Sequence, residues 1–281
     1  AHTRVTQVTA GLLSRKQKIP YVTTCHGFYR RRLGRRLFPC WGESAIAISD
    51  AVKRHLIRDF CLPEEKVCLV PNGVDLDRFR PVDPARKRFL RKQLGLPAEG
   101  QIIGSISRLV AVKGHDALLK CMASLRKEHP QATLVLVGEG ELRPELEKES
   151  ARLGLTDRVF FPGEVEDPLP YYQALDVYVH PSKWEEGFGL SAAEAMACAL
   201  PVVASMNPRG GLGMFITHGE NGYLFEKSDP ELFRGALAEL LQNPELAERI
   251  GANGRRVIAE NFSAEQMTQG ILELYEKVVR R

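Results

Sequence analysis

The 281-residue sequence has no long apolar run, because Arg, Lys, Asp or Glu interrupts each hydrophobic stretch before it reaches the roughly 18 residues of a membrane-spanning helix. Its six cysteines include no C-x-x-C pair, which argues against a zinc ribbon or thioredoxin-like site and predicts reduced thiols in a cytoplasmic protein. It has no internal repeat, no low-complexity tract, no targeting pattern and no initiator Met. We therefore expect a folded protein whose natural N-terminus lies upstream.

Charge is divided unevenly along the chain. Residues 1–97 contain 20 Lys and Arg against 8 Asp and Glu, whereas residues 98–281 contain 19 against 27. The densest basic run, 28–38, mixes arginines with aromatic and aliphatic side chains, a composition suited to anionic lipid head groups or a phosphorylated acceptor. A solvated surface helix or loop is the simpler alternative. Nucleic acid ranks lower, because no helix-turn-helix, zinc or RNA-binding signature accompanies the charge.

Hydrophobic periodicity predicts an α/β fold. In the first part of the chain we expect helices over 5–18 and 49–59 and strands over 20–25, 45–48 and 67–70. Turn-forming residues and three prolines between residues 71 and 84 then predict an interdomain linker over 71–97, which includes a short helix over 84–94.

From residue 101 predicted strands and helices alternate, and three helices end the chain. This order predicts parallel β-α-β units with helices on both faces, that is, a doubly wound domain. The predicted strands are 101–107, 132–137, 158–161, 175–180, 201–204 and 222–225. The predicted helices are 114–128, 141–153, 168–174, 191–199, 229–242, 244–259 and 263–280.

Ligands of doubly wound sheets bind beyond the carboxyl ends of the strands, so the loops that follow the strands are candidate sites. After strand 101–107, Arg108 and Lys113 can both reach a diphosphate, although surface cations in loops are more often only solvated. After strand 132–137, Gly138 and Gly140 begin a G-x-G-x-x-G pattern that Arg143 breaks, which excludes a nicotinamide or flavin site. Gly138 allows close approach of a nucleotide or simply a tight turn.

The loop after strand 175–180 carries Glu186 and, eight residues later, Glu194, with two glycines directly ahead of a helix. The N-terminus of that helix favours an anion. Glu194 has a structural alternative, because Ser191-x-x-Glu194 is also a capping box. Capping does not explain Glu186, so both carboxylates are candidates to flank a ligand at the helix start. A fourth loop, 208–213, offers flexible backbone before a further predicted helix.

These motifs resemble those of the retaining glycosyltransferases of family 4, the glycosyl transferases group 1, which have the GT-B fold. The Arg108 to Lys113 loop, the E-x7-E motif with its flanking E-G-F-G and E-A-M-A, and the stretches 70–75 and 194–204 carry the resemblance, which runs from about residue 20 to the C-terminus. It implies sugar transfer from a nucleotide-diphosphate donor (UDP, GDP or ADP) with anomeric retention and no bound metal. It also implies a cleft between two Rossmann-like parallel-sheet domains.

The resemblance assigns roles to individual residues. Arg108 and Lys113 match the pair that neutralises the donor diphosphate, Glu194 matches the ribose-binding carboxylate, and Glu186 matches the carboxylate beside the donor sugar. His26 matches a histidine that faces the donor sugar from the opposite domain. The remaining predicted binding residues would offer backbone to the nucleotide, sugar or phosphate: Gly138, Phe188, Gly189 and Leu190.

The sequence also departs from the family pattern. Nothing corresponds to the first strand and glycine-rich loop, so we expect an incomplete N-terminal domain. Residues 210–214 correspond to a Gly-Gly-x-Pro-Glu stretch of the family, but this chain lacks its Pro and its Glu. In addition, Ser191 stands where the family usually has a Pro. The predicted domains are 1–97 on the acceptor side, 98–262 on the nucleotide-sugar side, and a helix over 263–281 that packs back on the first domain.

Two hypotheses follow. The first is a cytoplasmic enzyme, peripheral to the inner face of the membrane through Arg30–Arg36, that transfers a sugar to a lipid-linked, cell-surface or other anionic glycan acceptor. The second is a truncated or pseudo-enzyme that binds a nucleotide sugar without efficient transfer.

Overall fold

A computed structural model of the chain describes residues 1–30, 33–205 and 209–280. The elements of its first part are α1 (Arg4–Gln17), β1 (Val22–Cys25), α2 (Leu33–Leu37), β2 (Ser44–Ala47), α3 (Asp50–Phe60), β3 (Val67–Leu69) and α4 (Pro84–Gln93). The three strands form a parallel sheet in the order β1-β2-β3. Helix α3 begins directly after β2 because Ser49 Oγ accepts the Val52 N–H at 3.1 Å.

The second part of the chain builds a larger sheet. Its strands are β4 (Ile102–Ile106), β5 (Thr133–Val137), β6 (Val159–Gly163), β7 (Val177–His180), β8 (Val202–Ser205) and β9 (Tyr223–Phe225). Its helices are α5 (His115–Leu125), α6 (Arg143–Arg152), α7 (Leu169–Ala174), α8 (Leu190–Ala197), α9 (Pro230–Gln242), α10 (Pro244–Asn261) and α11 (Ala264–Val279). The strands are all parallel, in the order β6-β5-β4-β7-β8-β9.

Both faces of the larger sheet are buried. Successive residues of a strand point to opposite faces, so Leu134 and Leu136 of β5 join one apolar layer while Val135 and Val137 join the other. Helices α5, α6 and α9 cover the first layer, and α7 and α8 cover the second. Strands buried on both faces explain why β5 reads as a continuous apolar run rather than an alternating one.

The last helix returns to the first sheet. Leu274 and Val278 of α11 pack on Ile46 of β2 and on Val70. The two segments that join the sheets are also hydrogen-bonded to each other: the Val74 N–H donates to the Phe262 carbonyl at 2.8 Å, and the Ala264 N–H donates to the Val74 carbonyl at 2.9 Å.

None of the helices in the described part of the chain is long and apolar enough to cross a membrane.

The predicted strands and helices named above are present, with ends that coincide or differ by up to three residues. The α/β class with two parallel sheets is confirmed. Three one-turn 3₁₀ helices and α2 were not predicted, because each spans five residues or fewer and shows no apolar period. The helix expected after the fourth loop is wrong: between residue 209, where the described part of this loop resumes after Pro208, and β9, the structure has only the 3₁₀ turn Leu212–Met214. Of the predicted basic run, Arg31 and Arg32 lie outside the described residues.

Candidate active site

Four loops with polar residues lie along one edge of the larger sheet. They follow β4, β5, β7 and β8, and the carboxyl ends of parallel strands meet at the same edge. The edge approaches the loop after β1 of the first sheet, since a Cβ atom added to Gly187 would lie 2.8 Å from the His26 carbonyl oxygen. The space between the two sheets at this edge is the candidate site.

An ion pair between Lys113 and Glu186 lies in this space. The side chains are 19% and 21% exposed, so most of the pair is withdrawn from water. The same Glu186 oxygen, Oε1, accepts the Ser182 hydroxyl at 3.1 Å and lies 3.5 Å from Nε2 of His180. Three polar side chains thus converge on one carboxylate oxygen.

This environment determines the charge of Glu186. Burial alone would raise its pKa, but the neighbouring His180 imidazole and the Lys113 ammonium outweigh burial and hold the pKa well below its ordinary value. Glu186 is therefore ionised throughout the neutral pH range.

Glu194 has a different environment. Its carboxylate accepts the Tyr172 hydroxyl at 2.8 Å, and Tyr172 is fully buried. Burial raises the pKa of Glu194, while Tyr172 and the more distant positive charge of Arg78 oppose this in part. The two carboxylates of one motif are thus shifted in opposite directions.

The capping box predicted for Glu194 does not form. Helix α8 begins at Leu190, one residue before Ser191, with Gly189 as its N-cap at φ 95° and no side chain bonded to the cap. That positive φ favours glycine, which explains why Gly189 stands there. Glu194 lies one turn inside the helix and is held from α7 by Tyr172.

The residues before α8 form its hydrophobic anchor. Phe188 is buried, and its ring centroid lies 5.1 Å from that of Phe215 and 5.8 Å from that of Phe262. Leu190, in contrast, is 42% exposed. The packed Phe188 fixes the start of α8, where the first N–H groups of a helix have no partners within the helix.

His26 lies across the space from these loops. Its side chain is exposed, its Nε2 is 2.9 Å from Nδ1 of His2, and the two rings stack with centroids 5.2 Å apart. Partial burial, which has the largest effect, and the nearby His2 lower the pKa of His26. A neutral imidazole at this position is therefore favoured.

Arg108 and Gly138 lie side by side at the ends of β4 and β5. A Cβ atom added to Gly138 would meet the Ser107 carbonyl and would lie 3.6 Å from the Arg108 nitrogen. The Arg108 side chain is exposed and makes no hydrogen bond or ion pair to the described residues, although the Arg108 carbonyl accepts the Val110 N–H at 3.0 Å. Lys113 and Arg108 thus lie in the same loop after β4, but only Lys113 contacts Glu186.

The loop after β8 connects the motif to the first sheet. The Gly211 N–H donates to the Glu186 carbonyl at 2.9 Å. Met214 accepts the Asp50 N–H at the start of α3 through Sδ at 3.3 Å. This loop therefore positions the Glu186 backbone against α3.

Sequence reasoning did not assign roles to three residues that hold the carboxylates. His180 is the last residue of β7, and Ser182 lies in the loop between β7 and Glu186. Their position at the carboxyl end of a strand could have indicated that they belong to the site. Tyr172 gave no such signal, because a tyrosine in an apolar helix reads as core packing. In the described ranges, no group of three or more His, Cys, Asp or Glu side chains is arranged to hold a metal ion.

Family models match both parts of this architecture. The model for glycosyl transferases group 1 matches residues 86–257, and the model for glycosyltransferase family 4 matches residues 1–78. The chain belongs to the glycosyl transferases group 1 family. The predicted membership and the GT-B fold are thereby confirmed.

Curated relatives agree with this assignment. The group 1 chain is 34% identical over 259 residues to a D-inositol 3-phosphate glycosyltransferase of Segniliparus rotundus, covering 89% of this chain and 56% of that protein. It is 30% identical over 247 residues to the lipopolysaccharide core biosynthesis mannosyltransferase LpsB of Rhizobium meliloti. That match covers 85% of this chain and 69% of LpsB. The chain thus spans little more than half the length of the inositol-phosphate relative.

A solved structure has the same fold as this chain. Anabaena Alr3699/HepE, solved in complex with UDP, superposes with a TM-score of 0.88 at 26% identity, covering 98% of this chain and 77% of that one. The superposition extends over nearly the whole chain, which includes both sheets.

Proposed function

We propose that this chain transfers a sugar from a nucleotide-diphosphate sugar to an acceptor, with retention of the anomeric configuration. The main support is the ion-paired Lys113 and Glu186, with Glu194 eight residues later, at the ligand-binding edge of a parallel sheet. The family membership and the named transferase relatives favour transfer over binding alone.

The charges of the site suit a diphosphate. In the proposed complex, Lys113 and Arg108 neutralise the donor phosphates and stabilise the charge that develops on the departing nucleotide. The backbone N–H groups at Gly189 and Leu190 supply further anion contacts at the start of α8. Gly138 lets the nucleotide approach the backbone between β4 and β5.

The two carboxylates have separate tasks in this proposal. Glu186 is ionised and already hydrogen-bonded through Oε1, so it can orient sugar hydroxyls or stabilise positive charge at the anomeric carbon. Glu194, held by Tyr172, binds the ribose hydroxyls. His26 faces the sugar from the first sheet as a neutral imidazole.

Two variants test the mechanism. We expect Glu186→Ala and Arg108→Ala each to abolish transfer while the circular dichroism spectrum stays that of the wild type. The exposed Glu260→Ala and Arg88→Ala make the same charge changes outside the site and should retain full turnover. Undiminished turnover by both site variants would contradict the mechanism.

A donor screen identifies the nucleotide. A ligand that binds only the folded state at 100 times its Kd stabilises the fold by about 2.7 kcal/mol, which a thermal-shift assay detects. UDP-, GDP- and ADP-sugars are compared, and the UDP complex of HepE makes UDP-sugars the first choice. Donor binding without transfer or hydrolysis would instead identify a nucleotide-sugar-binding protein.

We also propose that the chain divides into domains over 1–97, 98–262 and 263–281. We further propose that it acts in glycan synthesis in the cytoplasm.

A third proposal is peripheral contact with an anionic membrane through residues 30–36. Within the described part of this segment, Leu33 and Leu37 are 72% and 63% exposed, on one face of α2. Basic side chains beside exposed apolar ones suit a lipid surface. Sedimentation with phosphatidylserine vesicles, lost in Leu33→Glu/Leu37→Glu and absent with phosphatidylcholine, tests the contact.

A further inference from the structure

A cavity of about 730 Å³ opens beside the Lys113–Glu186 pair, between the two sheets. One wall is α3 and the loop after β1, and the other is formed by the loops that follow β7 and β8. None of the residues assigned above to the donor lines this cavity. It is therefore a separate space that adjoins the donor site from the side of the first sheet.

One face of α3 forms the first wall. Ala51, Arg54, His55, Arg58 and Asp59 all line the cavity, and the spacing of three and four residues places them on one side of the helix. Arg54 and Arg58 are exposed one turn apart, and the small, buried Ala51 leaves room below them. This face presents two guanidinium groups to the cavity.

Hydrogen bonds fix that face in place. The Tyr29 N–H donates to His55 Nε2 at 3.0 Å, and His55 Nδ1 lies 2.6 Å from Asp59 Oδ2. Because His55 uses both ring nitrogens in this way, it links the loop after β1 to α3. These hydrogen bonds therefore hold the face of α3 that carries Arg54 and Arg58 in a fixed position.

The charge around the cavity is positive. Among the described residues, four arginines line it, Arg30, Arg54, Arg58 and Arg209, against two carboxylates, Asp59 and Glu185. The arginines and carboxylates of this described lining sum to a charge of +2, which matches a phosphate monoester dianion rather than a single carboxylate. Guanidinium groups on both walls also suit the three oxygens of a phosphate, which point in different directions.

We propose that this cavity binds the acceptor through a phosphate monoester. Arg54 and Arg58 hold the phosphate from α3, and Arg209 holds it from the opposite wall. Trp184, which is 62% exposed in the same cavity, offers a flat apolar surface to the rest of the acceptor. This inference rests on the proposed function, because it names the class of acceptor that the transferase uses.

The first experiment measures binding of glucose 6-phosphate, glucose and glucuronate by calorimetry. We expect wild type to bind glucose 6-phosphate at least ten times more tightly than the other two, and Arg54→Ala/Arg58→Ala to lose at least tenfold of that affinity. The exposed pair Arg88→Ala/Arg256→Ala removes the same charge elsewhere and should stay within twofold of wild type. Equal binding of glucuronate, no binding of glucose 6-phosphate, or full affinity in the α3 double variant would overturn the proposal.

The second experiment separates this site from the donor site. Arg108→Ala should keep its affinity for glucose 6-phosphate and lose the thermal shift given by the nucleotide sugar. Arg54→Ala/Arg58→Ala should show the reverse. If glucose 6-phosphate binding depends on Arg108 instead, the phosphate occupies the donor site and the acceptor proposal fails. If no nucleotide sugar shifts the wild type, the proposed function fails, whatever the result with glucose 6-phosphate.

Discussion

Glu186 and Glu194 belong to one sequence motif and lie at opposite ends of one turn-and-helix segment, but their surroundings differ. Glu186 lies among Lys113, His180 and Ser182, which lower its pKa despite burial. Glu194 lies beside the buried Tyr172, and burial raises its pKa. The motif fixes where the two carboxylates stand, and residues from other elements decide how each one ionises.

The first prediction removes the cation from Glu186. Lys113→Met leaves a mostly buried carboxylate without its ion pair, so we expect the free energy of unfolding to fall by about 2 kcal/mol. If Lys113 also meets the donor phosphates, kcat/KM falls by about 10²–10³-fold. Lys120→Met, on an exposed position of α5, is the control and should change neither quantity. A kcat/KM within threefold of wild type would show that the ion pair has only a structural role.

The second prediction compares the two carboxylates by their effect on stability. A lowered pKa means that Glu186 stabilises the fold above its unfolded pKa and loses this effect as the pH falls through its folded pKa. A raised pKa means that Glu194 favours the fold at low pH and loses this effect as the pH rises through its folded pKa. At pH 7, Glu186→Gln should therefore be less stable than wild type by about 2 kcal/mol, and Glu194→Gln as stable or more stable.

Urea unfolding at pH 7 and pH 4 measures both differences. The deficit of Glu186→Gln should shrink at pH 4, and any advantage of Glu194→Gln should disappear there. Deficits of the same sign and size at both pH values would mean that the two environments do not differ as described.

The third prediction concerns the hydroxyl that holds Glu194. Tyr172→Phe removes one hydrogen bond and keeps the ring in the core, so we expect a loss of about 1 kcal/mol. The KM for the nucleotide sugar should rise about fivefold, with little change in kcat. Tyr223→Phe removes a similar bond, from Tyr223 to Glu239 at 2.7 Å, away from the site, and should leave KM unchanged. Equal effects of the two variants would assign Tyr172 to stability alone.

The fourth and smallest effect is expected for Ser182. Ser182→Ala removes one of three groups around Glu186 Oε1, and the Lys113 ion pair remains, so kcat should fall only about two- to threefold. Ser150→Ala, a buried serine of α6 whose hydroxyl has no partner among the described residues, should not affect kcat. A tenfold loss in Ser182→Ala would show that the hydroxyl, rather than the lysine, positions the carboxylate.

Much of this arrangement follows from the order of the elements. The proximity of Lys113 and Glu186, which are 73 residues apart, was predictable because each follows a parallel strand and such strand ends converge. The opposite pKa shifts of the two carboxylates were not predictable, since they depend on how deeply each carboxylate is buried and on which side chains from other elements lie beside it. The assignment of Arg108, Gly138 and His26 to the donor stays a prediction.

Local rules failed where a tertiary contact competed with them. Ser191 and Glu194 satisfy the capping-box spacing, but the N-cap is Gly189, two residues before Ser191, because Gly189 adopts φ 95° and Phe188 is anchored in the core. The carboxylate is then directed toward Tyr172. Likewise, the loop after β8 forms one 3₁₀ turn rather than a helix, and its Met214 contacts the start of α3.

The crossover segments at Val74 and Phe262 bear on how substrates reach the cleft. Because the Val74 and Phe262 segments are tied together by backbone hydrogen bonds, we expect them to move together if one sheet rotates relative to the other. We expect such a rotation to change the distance between His26 and Gly187, while the Lys113–Glu186 ion pair stays intact because loops of the larger sheet carry both residues.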